Sequence, residues 1–239
     1  MPKISPNILF ANTKELDKMP VALLVSGGIE SATLLWLLTQ YFAQIYPVYV
    51  RLGLNWENSE YQFLLQFLKA IKQPTIQPIT VLNSPAENIY GNHWSITGHN
   101  SPDASTDDEA VYLPGRNLLL LTQTAIWCSL TQIPFMALGS LGTNPFPDAS
   151  PKFFDQMQNT LTIGLNFNIS ILRPFDKMHK DEVILLAKNL PLHLTFSCIQ
   201  PINGIHCGQC NKCAERQKAF LKAALEDQTI YDVKMAMPV

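Results

Sequence analysis

A doubly wound α/β fold with a mainly parallel sheet is what this sequence predicts, and three observations predict it. Short apolar, β-rich runs alternate with segments of helical period along most of the chain, the pattern of a parallel sheet covered by helices. The first run ends in a serine and two glycines directly before a helix, where an α/β fold opens its ligand crevice. The alternation stops near position 190, beyond which four cysteines fall within sixteen positions and mark a small C-terminal appendage.

The elements follow in order. Pro20–Val25 is apolar and stops at Ser26, Gly27 and Gly28, so it reads as a buried strand ending in a tight turn. Ser31–Phe42 carries Leu34, Leu35, Leu37 and Leu38 with no Gly or Pro and reads as a helix. Ile45–Val50 is rich in β-formers. Asn58 is placed to cap a second helix, in which Phe63, Leu64, Phe67, Leu68 and Ile71 recur at helical spacing. Thr75–Leu82 is a third strand. The stretch from Asn83 to Leu113 is polar and rich in Gly, Asn, Asp and Pro; loops of that length are functional or disordered, and Tyr90 and Trp94 point to a substrate-facing lid. A helix over Asn117–Leu130, strands at Phe135–Gly139 and Ile169–Leu172, and a helix over Lys180–Asn189 complete the α/β part. A last helix runs from about Ala214 to Leu225.

The chain has 239 residues, 47% of them hydrophobic, enough for a sizeable core. Charged residues make up 15% and the formal net charge is -2, which gives no electrostatic footprint for nucleic acid or an acidic membrane. The longest apolar stretches, such as Leu118–Leu121 and Ile184–Ala187, are too short to span a bilayer. Residues 1–6 lack a charged segment followed by an apolar one, so no secretory signal is read and the expected location is cytoplasmic. Cys128, within a helical run, reads as a small buried hydrophobe.

Val25, Ser26, Gly27, Gly28, Ile29, Glu30 and Ser31 join the first strand to the first helix. Two glycines let backbone approach a ligand closely, and the helix N-terminus offers free N–H groups and a positive dipole end to an anion. Ser26 and Ser31 add hydroxyls, and Glu30 adds a carboxylate whose natural partner beside phosphates is Mg²⁺. No Gly-Lys-Ser/Thr follows and a third glycine is missing, so this is neither a P-loop nor a dinucleotide fingerprint. Without its context the segment would read as an ordinary strand-to-helix turn.

Cys198, Cys207, Cys210 and Cys213 offer four thiolates at knuckle-like spacing, with Gly208 and Lys212 in the tight turns. Four thiolates without a spare position make a closed, structural zinc site. A thioredoxin-like Cys-x-x-Cys would leave two of these cysteines unexplained. His206 could replace one of them, but four sulfurs suffice.

Ser26–Ser31 resembles the pyrophosphate loop of the PP-loop ATP pyrophosphatases, with Glu30 in place of the usual Asp. Thr195–Cys198, Cys207–Cys213, Arg216 and Phe220 resemble the C-terminal signature of the 7-cyano-7-deazaguanine synthase family, and further likeness lies at Pro114–Leu118, Pro147, Asp148, Arg173, Pro174 and Lys180. That resemblance implies a carboxylate adenylated by ATP with Mg²⁺, attacked by ammonia, and dehydrated to a nitrile with a second ATP in queuosine biosynthesis. It implies zinc on the four cysteines, Arg116 near phosphate, Lys180 reaching ATP, and Asp148 holding substrate. From the residues alone, Arg116 and Asn117 would be a helix cap with a surface Arg, Lys180–Glu182 a solvated first turn, and Asp148 a turn cap. The organisation then reads as an N-terminal extension over 1–19, an ATP-binding α/β domain over 20–190, and a zinc-binding segment over 191–239 packed on it.

The chain departs from the family pattern in two places: Val50–Trp56 replaces a Tyr-Gly-Gln, and Ala149 and Ser150 replace Cys-Arg after Pro147 and Asp148. Arg51 is read as a substitute guanidinium for the substrate acid, and Trp94 as a stacking surface for a purine-like ring. The expected partners are a small-molecule acid and ammonia, with room for a homodimer and no membrane or nucleic acid. Competing readings are an enzyme of the same fold acting on another acid or base, a non-catalytic zinc-containing nucleotide regulator, and a nucleic-acid reader, the last disfavoured by the charge balance.

Overall fold

A computed structural model describes residues 18–233. The expected N-terminal extension lies outside the described residues except for Lys18 and Met19. Five parallel strands, β1 (Pro20–Leu24), β2 (Gln44–Arg51), β3 (Thr80–Asn83), β4 (Phe135–Ala137) and β5 (Ser170–Leu172), form one sheet in the order β3-β2-β1-β4-β5. The helices are α1 (Ile29–Leu38), α2 (Glu57–Ala70), α3 (Glu87–Tyr90), α4 (Trp94–Thr97), α5 (Arg116–Thr131), α6 (Pro151–Leu165), α7 (Lys180–Leu186) and α8 (Asn211–Lys222).

β1 is central and apolar throughout, and its alternate side chains serve two cores. Ala22 and Leu24 face one with Leu121 and Ala125 of α5 and Phe154 of α6. Val21 and Leu23 face the other with Leu34, Leu35 and Leu38 of α1 and Val183 and Ile184 of α7. Alternation along a strand thus produces helices on both faces, as the sequence predicts. None of the helices among the described residues is long and apolar enough to cross a membrane.

Four details differ from the sequence reading. Trp56, not Asn58, precedes the first turn of α2, because Glu57 accepts from Leu52 N at 2.6 Å and Gly53 N at 3.0 Å and closes the turn one step earlier. β3 begins at Thr80 rather than Thr75; Ile76 makes only an isolated bridge to Ile45, and Pro78 has no N–H to extend the ladder. The polar stretch after β3 holds α3, α4 and a 3₁₀ turn at Asp108–Val111, and it is fastened at several points: Asn55 N donates to Ser95 O at 2.8 Å, Tyr90 Oη to Pro114 O at 3.0 Å and Asn211 Nδ2 to Thr106 O at 2.9 Å. The stretch is thus folded rather than a bare loop, and Trp94 and Tyr112 from it face a cavity. Finally, α6 was not expected, although Ser150 Oγ caps it by accepting from Phe153 N at 3.2 Å and Pro151 starts it.

The cysteine segment is built into the molecule. Phe196 N donates to Gly27 O at 2.8 Å, tying it to the loop after β1. Arg216, fully buried, donates to Thr195 Oγ1 at 2.9 Å, Leu192 O at 2.8 Å and Thr229 Oγ1 at 3.0 Å.

Candidate active site and metal centre

A crevice opens over the carboxyl ends of β1 and β4, where the sheet's connections change direction, the usual ligand position in such folds. It has a volume of about 320 Å³ and adjoins a side chamber of about 180 Å³. Backbone approach is close: a Cβ on Gly139, just past β4, would stand 2.9 Å from the carbonyl carbon of Glu30, and Gly27 adopts φ +70° beneath Glu60.

Ser26, Gly28 and Glu30 line the crevice floor. Ser26 N donates to Ser31 Oγ at 3.3 Å, and Ser31 Oγ donates to Gly28 O at 3.2 Å, so the hydroxyls hold the loop's shape. No side chain caps α1 at Gly28. Its first-turn amides are therefore left without a side-chain acceptor.

One wall carries a chain of alternating charges. Lys180 Nζ lies 3.0 Å from Glu30 Oε1 and 3.0 Å from Glu215 Oε1, and Lys212 Nζ lies 2.8 Å from Glu215 Oε2. Burial alone would depress Lys180, but Glu215 and Glu30 outweigh it and hold the ammonium above the ordinary lysine range. Glu215 is likewise penalised by burial, yet Lys180 and Lys212 bring it down to about 2.

Arg116, the first residue of α5, also lines the crevice, and its buried Nε has no hydrogen-bond partner among the described residues. Beside it Glu60, 8% exposed, accepts from Tyr49 Oη at 2.8 Å, and burial pushes its carboxyl up to about 7. Trp94 stacks on Trp56 with ring centroids 5.8 Å apart and planes 21° apart, and both line the crevice.

The four thiols of Cys198, Cys207, Cys210 and Cys213 are buried within 4.8 Å of one another. The Cys207–Cys213 and Cys198–Cys210 sulfurs are 4.0 and 3.9 Å apart. A tetrahedron with metal–sulfur bonds of about 2.3 Å has edges of about 3.8 Å, so the set fits zinc. Gln200 N and Cys207 N donate to Cys198 Sγ at 3.3 Å each, while Gln209 N and Cys210 N donate to Cys207 Sγ at 3.4 and 3.3 Å, as thiolates in knuckles require. His206 stays outside: its Nε2 accepts from Ser197 N at 3.1 Å and its ring packs on Phe196.

The sequence between residues 21 and 224 matches the family model described as Queuosine biosynthesis protein QueC. The chain is 30% identical over 211 residues to 7-cyano-7-deazaguanine synthase 1 of Desulfitobacterium hafniense, covering 86% of this chain and 93% of that one. It is 26% identical over 231 residues to the 7-cyano-7-deazaguanine synthase of Leptospira interrogans, covering 92% and 93%. The chain belongs to the QueC family.

Of the residues singled out in the sequence, Ser26, Gly28, Glu30, Arg116, Lys180 and Trp94 meet around the crevice. Val25 and Ser31 line the side chamber. Ile29 is fully buried in the core behind the loop. Two residues expected at the substrate lie outside both spaces. Arg51 lines neither space; it sits 4.8 Å over the Tyr61 ring and donates to Asn58 Oδ1 at 3.4 Å, because strand alternation sends it with Tyr49 to the α2 face. Asp148, buried in a 3₁₀ turn, directs Oδ2 to Asn117 N at 3.0 Å while its carbonyl accepts from Asn117 Nδ2 at 2.8 Å. Its carboxylate thus fastens the start of α5, the helix that carries Arg116, and it lines neither space. Ala149 is buried and Ser150 caps α6, so the departure from the family pattern there alters the support of the crevice, not its lining. Lys180 opens α7, whose other first-turn charges are structural: Glu182 Oε2 accepts from His179 N at 2.7 Å, and Asp181 pairs with Lys222 at 2.9 Å.

Glu57, Glu60, Lys212 and Glu215 were missed. On sequence, Glu57 and Glu60 look like the solvated first turn of α2, and Lys212 and Glu215 look like ordinary charges of a knuckle and its helix.

Proposed function

We propose that this chain is an ATP-dependent carbon–nitrogen ligase. It adenylates the carboxylate of 7-carboxy-7-deazaguanine, exchanges AMP for ammonia to give the amide, and uses a second ATP to dehydrate the amide to 7-cyano-7-deazaguanine for queuosine biosynthesis. One observation carries this reading: the uncapped Ser26–Ser31 loop opens onto a crevice whose far wall is built by the cysteine-bound helix α8, in a chain of the QueC family.

A carboxylate is a poor electrophile, and transfer of AMP makes it a good one. The α1 amides with the Ser26 and Ser31 hydroxyls would hold the departing pyrophosphate. Arg116, Lys180 and Lys212 supply cations around it, and the unpartnered Arg116 Nε is a donor awaiting an acceptor. Glu30 is the carboxylate that would face Mg²⁺ arriving with ATP, and that ion would neutralise phosphate charge. Trp94, braced by Trp56, offers an indole face to the flat deazaguanine ring. Zinc on the four cysteines would keep α8, and with it Lys212 and Glu215, in the wall. Ammonia reaches the crevice free or from a partner protein.

Calorimetric titration tests the substrate assignment. With a non-hydrolysable ATP analogue and Mg²⁺ present, 7-carboxy-7-deazaguanine should bind at micromolar concentration. Nucleotide binding without any acid binding at millimolar concentration would mean that the crevice serves another acid.

A further inference from the structure

Both stages of the proposed reaction, amide formation and dehydration, release protons from the nitrogen on the reacting carbon. Ammonia adding to the acyl-adenylate becomes an ammonium-like nitrogen, which sheds a proton as AMP leaves with the C–O bonding pair. Adenylation of the amide oxygen, with pyrophosphate leaving, makes the nitrogen an iminium that sheds one proton to give the imidate. The imidate then loses its remaining N–H proton, and that N–H pair forms the third C–N bond as AMP leaves with the C–O bonding pair. The cations of the crevice offer no place for these protons, because a guanidinium such as that of Arg116 has donors only and Lys180 is held in its charged form by Glu215 and Glu30. Glu30 and Glu215 are themselves engaged by lysines.

We propose that Glu60 is the proton acceptor in both stages, an inference that rests on the ligase reading above. Glu60 lines the crevice and the side chamber together, as do Ser26 of the phosphate loop and Arg116. Glu60 therefore borders both spaces and packs on Gly27 of the loop over which an anhydride between acid and nucleotide would lie. Tyr49 Oη donates to Oε1 at 2.8 Å and fixes the orientation of the group. Glu57, one turn earlier on α2, is no substitute, since its two oxygens are committed to the Leu52 and Gly53 amides.

The titratable groups facing Glu60 are Tyr49 from β2, Glu57 from its own helix and Arg116 from α5, with Glu30 of α1 sharing the cavity walls but paired to Lys180. Burial raises its affinity for a proton most, Arg116 and the Tyr49 hydroxyl pull it back, and Glu57 adds to it, which leaves the group near 7. A carboxyl so poised is basic enough to take a proton and acidic enough to release it before the next stage.

The test uses the zinc-loaded full chain and the Glu60→Gln variant, which keeps the shape and an acceptor for Tyr49. Exchange of labelled pyrophosphate into ATP, driven by 7-carboxy-7-deazaguanine without ammonia, reports adenylation alone. We expect exchange to persist in Glu60→Gln while ammonia-dependent amide and nitrile formation fall by about 10²–10⁴-fold. At constant free ammonia, the wild-type rate should fall on the acidic side of about pH 7, and this limb should be missing in the variant. Tyr49→Phe removes a donor to the carboxylate and should move the limb to higher pH. Wild-type rates and an intact limb in Glu60→Gln would overturn the proposal, as would an equal loss of exchange. Should Glu60→Gln fail to fold, a limb unmoved by Tyr49→Phe overturns it alone. A wild-type protein with neither exchange nor nitrile would contradict the ligase reading instead.

Discussion

Replacing Glu215 by Gln removes the central carboxylate of the chain Glu30–Lys180–Glu215–Lys212 and leaves Lys180 with a single partner. The side chain is 26% exposed, so solvent screens it only in part. Burial disfavours its charge, but Lys180 and Lys212 more than reverse this and take the carboxyl from 4.5 to about 2. At about 1.4 kcal/mol for each tenfold change in proton affinity, that corresponds to about 3 kcal/mol of stability. Because the folded-state value is the lower one, this stability is fully present above about pH 4.5 and is lost as the pH falls toward 2. Urea unfolding of the wild type and Glu215→Gln at fixed zinc concentration should differ by about 2–3 kcal/mol at neutral pH. The gap should close through the same acidic window. A gap below about 0.5 kcal/mol at pH 7, or one that does not change with pH, would refute the reasoning.

Three further outcomes follow from the same geometry. Cys207→Ser removes the sulfur that accepts from Gln209 N and Cys210 N, so zinc content should fall below one per chain and the protein should melt far earlier or become insoluble, structural zinc being worth on the order of 10 kcal/mol; elemental analysis finding no zinc in the wild type, with unchanged melting of the variant, would contradict this. Glu30→Ala leaves Lys180 paired with Glu215 alone while Glu215 keeps both lysines, so the protein should still fold, with a smaller melting loss than Glu215→Gln, while AMP formation is lost and Glu30→Asp retains it; normal ATP turnover by Glu30→Ala would remove the loop assignment. Trp94→Ala should raise the KM for the acid and Arg51→Ala should leave it unchanged, since only the former lines the crevice; steady-state kinetics showing the opposite would restore Arg51 to the site.

The sheet was legible because its signals are local. Apolar runs such as Pro20–Val25 need no tertiary information to read as buried strands, and two glycines before a helix announce a close approach of backbone to ligand. The cysteine set was legible for the same reason, its spacing being that of a knuckle. Glu60 was not, because nothing in the first turn of α2 reveals that this turn packs against Gly27, where the Glu60 carbonyl would meet a Cβ at 3.2 Å. Lys212 and Glu215 reach the crevice only because Arg216, buried between them and the loop from Leu192 to Ser197, fixes α8 against the rest of the molecule. Arg51 is a different failure: Val48 and Val50 face the α5 core whereas Tyr49 faces the other, so a strict period of two would have sent Arg51 away from the acid. The helix from Pro151 was equally readable, from its serine cap and the spacing of Phe154, Met157 and Leu161.

The most direct measurement is turnover itself. The purified zinc-loaded protein, incubated with ATP, Mg²⁺, ¹⁵N-ammonia and 7-carboxy-7-deazaguanine, should yield ¹⁵N-labelled nitrile by mass spectrometry with two AMP formed for each nitrile. AMP formation that ignores the acid, or labelled amide that never proceeds to nitrile in excess ATP, would contradict the proposed reaction.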